Sequence, residues 1–326
     1  MDFYRLNLQL FADLNTNTTL DSGLSVENKT YYDMTLIDEA QANLVHDQFG
    51  QKKPIPKGGG KTIEFRKFAA LPKATAALTE GVTPDGKKLS ASKVEATVSQ
   101  YGDYVTLSDM LDLTAIDPVV VEATKVIGRQ AGLTLDTITR NILQSGTNVF
   151  YAPKGDGTVV DSRDALDNTC KLTVDLIKRV VAFLKKNNAP KIDGSYIAII
   201  HPYAAYDLMS DPEWKYPHQY QDTSNIYEGE IGKIAGVRFV ETSEAKVYEG
   251  GVFGTLVIAD GAYGVTEITG GGLETIVKQL GSAGSADPLN QRSTVGWKAT
   301  KTAEILVEPY MVRIEHKSAL DDIDAN

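Results

Sequence analysis

The sequence predicts an α+β protein: an extended two-stranded flap, then one long helix, then a second half of mixed strands and helices. Three observations carry this. Ala123, Ile127, Ala131, Leu135, Ile138 and Ile142 recur at spacings of four, four, four, three and four, a single apolar stripe along a helix. Two alternating segments flank a turn-rich stretch between residues 61 and 98. Tyr196–Ile200 (YIAII) is a short continuous apolar run, as expected for a strand covered on both faces.

Taken in order, Phe3–Ala12 (FYRLNLQLFA) leans apolar but is interrupted by Arg5, Asn7 and Gln9, too short and broken for a signal-peptide core. It reads as a terminal arm. Asp13–Lys29 is polar and cannot bury enough surface alone to offset its ordering entropy. Leu36, Ala40, Leu44 and Val45 predict a helix within Tyr31–Phe49, with Gly50 as its stop. Gln51–Gly60 (QKKPIPKGGG) breaks the pattern. Strands are then predicted over Lys61–Phe68 and Val94–Val98, joined through Pro84-Asp85-Gly86. An isolated hairpin is marginal in water, so this flap needs a surface to lie on.

Asp117 suits the N-cap and Pro118 the first position of the long helix, which ends at Gly146 and spans roughly 40 Å. Val174, Ile177, Val181 and Leu184 predict a second helix ended by Asn187-Asn188, and Pro202–Ser210 a short third. Strands are predicted at Val237–Glu241, Thr255–Ala259 and Gly264–Ile268. Thr294–His316 alternates with a break near Pro309, which suggests a pair of long strands.

Composition narrows the function. The 326 residues are 42% apolar, enough for a core, and the net charge is −10. An acidic chain does not neutralise phosphates over its whole surface, which argues against general nucleic-acid binding. The lone Cys170 can form neither an internal disulfide nor a thiolate zinc site, in keeping with a reducing compartment. No apolar run reaches the roughly 20 residues that span a bilayer.

Candidate chemistry is weak throughout. Lys57–Thr62 (KGGGKT) resembles a phosphate loop, but Ile55 stands where the first glycine of that motif belongs and a strand follows, so it reads as a hinge. His46, His201, His218 and His316 form no metal-binding pair. His201 ends the buried strand without a nucleophile motif and reads as a structural or interface residue. Asp109, Asp112 and Asp117 suit helix starts, and Asp321, Asp322 and Asp324 a solvated tail. The flap lysines (Lys61, Lys67, Lys73, Lys87, Lys88, Lys93) read equally as a solvated hairpin or as partners for acidic neighbours. No catalytic, cofactor or metal site is expected. Extended arms, a strut helix and no reaction centre point to an assembly component.

Several blocks resemble a known family. Glu80–Pro84 (EGVTP), Val94–Gly102 (VEATVSQYG) with Leu107-Ser108-Asp109, Gly229–Gly232 (GEIG) with Gly236–Thr242 (GVRFVET), and above all Gly281–Lys298 (GSAGSADPLNQRSTVGWK) are similar to the tailed-phage capsid family typified by the major capsid protein of coliphage N4. Leu6–Ala12 also resembles the opening of many structural proteins of phages with Gram-positive hosts. The resemblance implies the HK97-like fold: an N-terminal arm over 1–52, an extended loop over 53–105, a peripheral domain over 106–165 with its spine helix at 117–144, an axial domain over 166–267, and peripheral return strands with a tail over 268–326. It implies self-assembly as pentamers and hexamers into an icosahedral head around double-stranded DNA, without sequence-specific binding. A separate scaffolding protein, a portal and a decoration protein are the implied partners. The implied location is the virion, after assembly in the bacterial cytoplasm. Phe65, Arg66, Phe68, Lys87, Lys88 and Trp297 are the candidate inter-subunit contacts. The positions for a covalent cross-link do not match, so none is expected. Two alternatives stay open: a bacterial encapsulin-type compartment shell, and a cytosolic α/β hydrolase or transferase using His201.

Overall fold

The computed structural model describes residues 44–68, 71–77, 80–81, 83, 85–114, 119–214, 232–282, 287–320 and 325–326. The expected arm up to residue 43, the caps Asp117 and Pro118, His218, most of the GEIG block and the acidic tail lie outside them. The described end of the first predicted helix, residues 44–50, is a turn and not a helix.

Three sheets follow one another. In the flap, β2 (Thr62–Phe68) pairs antiparallel with β3 (Ala91–Thr97), from Thr62↔Thr97 to Phe68↔Ala91. The second sheet is built on β13 (Arg292–Ile305), with β4 (Ser99–Ser108) along one edge and β12 (Glu274–Lys278) along the other. The far end of β13 pairs with β11 (Tyr263–Thr266), whose outer neighbour is the two-residue β1 (Gln51–Lys52). The long helix Val119–Leu143 packs on β13 and β4. Val295, Trp297, Ala299, Lys301 and Ala303 are buried at every second position, and the first three pack with Ile127, Ala131 and Leu135 of the helix. Two glycines permit the close approach of β4 and β13. A Cβ on Gly296 would lie 2.7 Å from Tyr104 Cβ, and one on Gly102 would lie 2.6 Å from Trp297 O.

The third sheet runs β5-β14-β10-β6-β8-β7, with β9 (Val247–Tyr248) beside β10. It comprises β5 (Val149–Tyr151), β6 (Tyr196–Ile200), β7 (Lys233–Ile234), β8 (Val237–Glu241), β10 (Val252–Ile258) and β14 (Met311–His316). Both faces are covered, which explains the unbroken apolar run of β6. Tyr196, Ala198 and Ile200 join the helices Val174–Lys186 and Pro202–Ser210 in the largest core. Ile197 and Ile199 face the opposite way, towards Leu143, Tyr263 and Met311. The helix Val174–Lys186 starts at Thr173, whose Oγ1 accepts Leu176 N, and stops at Asn188, whose φ is 52°.

The two strands expected over Thr294–His316 are present as β13 and β14, with the break at Glu308–Tyr310, but they do not pair with each other: β13 lies on the long helix, whereas β14 crosses to the third sheet between β10 and β5. The turn Glu308–Tyr310 redirects the chain between them. β4 was not foreseen, nor were β12 and β5, which are short and only partly buried.

His316 ends β14 in full burial. Its Nε2 lies 2.9 Å from Thr255 Oγ1, its Nδ1 3.0 Å from Lys317 O, and its ring stacks on Phe253 at 5.8 Å. Burial holds its pKa down to about 4, so it is neutral in the fold. The unfolded chain binds its proton near pH 6.5, so this group destabilises progressively as pH falls from about 6.5 to 4. Acid titration of the unfolding free energy is expected to show a loss of about 3 kcal/mol from it, absent in His316→Gln. Gly296→Ala is expected to lower stability by about 1–3 kcal/mol in urea unfolding. Gly86→Ala, at an open position, stays within about 0.5 kcal/mol.

Candidate assembly interface

The flap leaves the body through a strap, Leu44–Ile55, and the strap is fixed by buried polar groups. Asp136, fully buried on the long helix, accepts Val45 N at 2.8 Å and His46 N at 2.7 Å on one oxygen. Its other oxygen lies 2.6 Å from His46 Nδ1. The Tyr263 hydroxyl donates to His46 O, and burial pushes that phenol far above its usual range. Asp47 accepts Thr139 Oγ1 at 2.6 Å and pairs with the buried Lys301, which also donates to Leu135 O at 3.1 Å. Three chain segments distant in sequence thus meet over two carboxylates. Beyond this clip, β1 runs parallel to β11, and Ile55, 3% exposed, bridges to Ile268.

The KGGGKT segment is an exposed turn with Gly58 at φ 86° and Gly60 at φ 88°; β2 follows it, not a helix. Among the described residues it does not lead into a helix N-terminus, as a phosphate loop would. At the root of the flap Phe65 is buried, seated where a Cβ on Gly264 would stand 2.8 Å from its ring, with Lys53 Nζ 5.7 Å above the ring centre. Ala96 and Val98 are buried on the same side. Further out the burial stops: Leu71, Lys73, Lys87, Lys88 and Leu89 are exposed.

The outer face of the hairpin carries a charge ladder. Glu64 and Glu95 stand opposite one another, and Lys93 bridges them, 3.4 Å from Glu64 and in contact with Glu95. Arg66 Nη2 lies 3.5 Å from Glu64. Lys93 lowers the Glu64 pKa, and both carboxylates raise that of Lys93. This part of the flap therefore neutralises itself.

The structure divides the candidate contact residues. Arg66, Lys87 and Lys88 are exposed, Arg66 lying beside Glu64. The Phe68 side chain lies outside the described residues. Phe65 and Trp297 are corrected: they are 7% and 3% exposed, and both serve their own chain. Trp297 sits under the long helix, with Nε1 3.4 Å from Gln130 Oε1. An aromatic in an alternating pattern marks a buried face as readily as a contact, and the sequence alone does not separate the two. His201 is the N-cap of the helix Pro202–Ser210, its Nδ1 accepting Tyr203 N at 3.2 Å among the rings of Tyr203 and Phe253. Burial lowers its pKa.

The distinctive segment Asp287–Lys298 is a turn leading into β13. Asp287 is buried; its Oδ2 accepts Arg292 N at 2.8 Å, and Asn290 takes a φ of 53°. Gln291 O accepts Asp109 N at 3.0 Å, which joins this turn to the short helix Asp109–Thr114. Sequence reasoning missed the exposed apolar side chains there, Met110, Leu111, Leu113 and Leu289, because they follow no period.

Comparison with known proteins agrees with this geometry. A family model described as phage capsid protein matches residues 91–313. No curated protein sequence matches the chain. The capsid structure of cyanophage P-SCSP1u aligns with a TM-score of 0.66 at 12% identity, over 85% of this chain and 89% of that one. The capsid of Ralstonia phage GP4 aligns with a TM-score of 0.64 at 14% identity, over 86% and 90%. The cyanophage Pam1 capsid aligns with a TM-score of 0.64 at 14% identity, over 87% and 93%. The fold is that of phage capsid shells, the HK97-like fold.

Asp136→Ala leaves two backbone N–H groups and an imidazole buried without their acceptor. It is expected to cost about 3–5 kcal/mol of stability in urea unfolding. Limited proteolysis is expected to cut first within residues 44–62.

Proposed function

The chain belongs to the phage capsid protein family, and from that membership we propose that many copies assemble as pentamers and hexamers into an icosahedral head around double-stranded DNA. The observation that carries this is the flap: its root is buried by its own chain and the rest, from Leu71 to Leu89, is exposed wherever it is described. A two-stranded ribbon gains stability only when its faces are covered. A neighbouring subunit supplies that cover, with Arg66, Lys87 and Lys88 as the contacts on this side.

The domain division follows the resemblance: arm 1–52, extended loop 53–105, peripheral domain 106–165, axial domain 166–267, and return strands from 268. The return to the peripheral side is made by β13, while β14 serves the sheet of the axial side. We place the chain in the group of the coliphage N4 major capsid protein, on the EGVTP and DPLNQRSTVGWK blocks. Its role is structural and not enzymatic, with His201 committed as a helix cap. Scaffolding and portal proteins are its partners, and it is assembled in the host cytoplasm and carried in the virion. The net charge of −10 leaves the inner wall weakly attractive to DNA, so packaged genome is free to move. A compartment shell around cargo enzymes would share the fold; the family match favours the phage head.

Deleting Lys57–Lys88 is expected to abolish closed shells in negative-stain microscopy and leave soluble monomers or capsomer-sized particles. Normal shells from that variant would remove the flap from the mechanism.

A further inference from the structure

The short helix Asp109–Thr114 (DMLDLT) exposes three apolar side chains, and Leu289 stands beside its start. Leu113 is 78% and Leu289 75% exposed. This knob is preformed. Asp109 Oδ1 accepts Met110 N at 2.8 Å, Ser108 Oγ accepts Leu111 N at 3.3 Å, and Thr114 Oγ1 donates to Met110 O at 2.6 Å. The Asp287 turn braces it through the bond from Asp109 N to Gln291 O. An apolar cluster held out in water without a core beneath it marks a contact with another molecule.

A matching recess lies elsewhere on the same chain. A cavity of about 620 Å³ opens between the strap, the long helix and the β11–β13 sheet. Leu44, Pro54, Leu135, Val265, Leu273 and Ala299 give it an apolar lining. Lys52 and Lys53 stand exposed at its mouth together with Glu267, while Asp47 and Lys301 in the wall neutralise each other. The mouth is thus net positive by one charge, and the knob sequence carries Asp109 and Asp112.

Knob and cavity lie apart along β13. The knob helix follows Ser108, the partner of Arg292 at the strand's start, whereas the cavity is lined by Ala299–Lys301 further along it. At least seven residues of strand separate them by about 23 Å or more, so the knob cannot reach the cavity of its own chain. We propose that the knob of one copy seats in the flap-root cavity of a second copy, its leucines on the apolar lining and its Asp109 carboxylate towards Lys52 and Lys53. Such a head-to-tail contact joins two different patches, so it propagates from copy to copy into rings or sheets rather than ending at a dimer. The contact rests on the shell reading above and specifies one of its joints.

Two variants with one added cysteine each test it, Gln48→Cys at the cavity rim and Leu113→Cys on the knob; the native Cys170, kept in both, is buried. Each is purified alone, and both are mixed, assembled and treated with a mild oxidant. A disulfide-linked dimer in the mixture, absent from either variant alone, is the expected result. Shells that form without that cross-link overturn the contact and leave the shell reading standing; the cavity is then filled otherwise, by residues ahead of Leu44 or by nothing. A cross-linked Leu113→Cys homodimer overturns it in favour of a symmetric contact. Wild-type protein that never forms shells overturns both readings. In the same assay Leu113→Asp, at a side chain exposed in the monomer, is expected to leave the thermal midpoint unchanged. It should raise the protein concentration needed for assembly about tenfold; an unchanged concentration counts against the contact.

Discussion

The Asp136 carboxylate is the constraint on which the rest of the molecule depends. A buried carboxylate is costly unless its lone pairs are used, and here three hydrogen-bond donors use them, all from the strap. Beyond it the strap runs parallel to β11: β1 is two residues long, and Lys53 N and Ile55 N extend the pairing to Val265 O at 3.1 Å and Glu267 O at 2.8 Å. The second carboxylate, Asp47, ties the same strap to Thr139 and Lys301. The long helix, the strap and the β11–β13 sheet are therefore one rigid unit, and the flap is hung from it.

That arrangement explains the gradient along the flap. Near the clip Phe65, Ala96 and Val98 are packed by their own chain. Past Phe65 the described side chains from Leu71 to Leu89 are exposed. The self-neutralised ladder of Glu64, Lys93 and Glu95 keeps the hairpin paired without giving it a strong charge. The ribbon is packed by its own chain at one end and exposed at the other wherever it is described.

Most of the frame was legible in the sequence because it rests on local rules. The stripe from Ile127 to Leu135 and the Asn188 stop are periodicity and capping, and the run YIAII is burial on two faces. What was not legible rests on contacts between distant segments. Asp136 follows directly on the stripe residue Leu135, and nothing near it in sequence shows that residues 45 and 46 will meet it. Trp297 and Phe65 look like surface anchors until the helix and Gly264 are placed over them. The Met110–Leu113 knob breaks the pattern of its surroundings, and only its exposure in the fold shows that the break is meaningful. The segment Asp287–Lys298, a family mark in the sequence, is physically a brace: it holds that knob and delivers the glycine that lets β4 and β13 touch.

β14 has a consequence for how the subunit is made. It lies between β10 and β5, and its Arg313 pairs with Val149 from the far side of the chain. A polypeptide synthesised from its N-terminus exposes β5, β6, β8 and β10 well before their missing neighbour exists. The largest sheet stays open along that seam until residues 311–316 emerge, and pairings this distant in sequence form slowly. The sheet is therefore closed only once residues 311–316 have joined it, which makes this seam the last of its pairings to form in chain order.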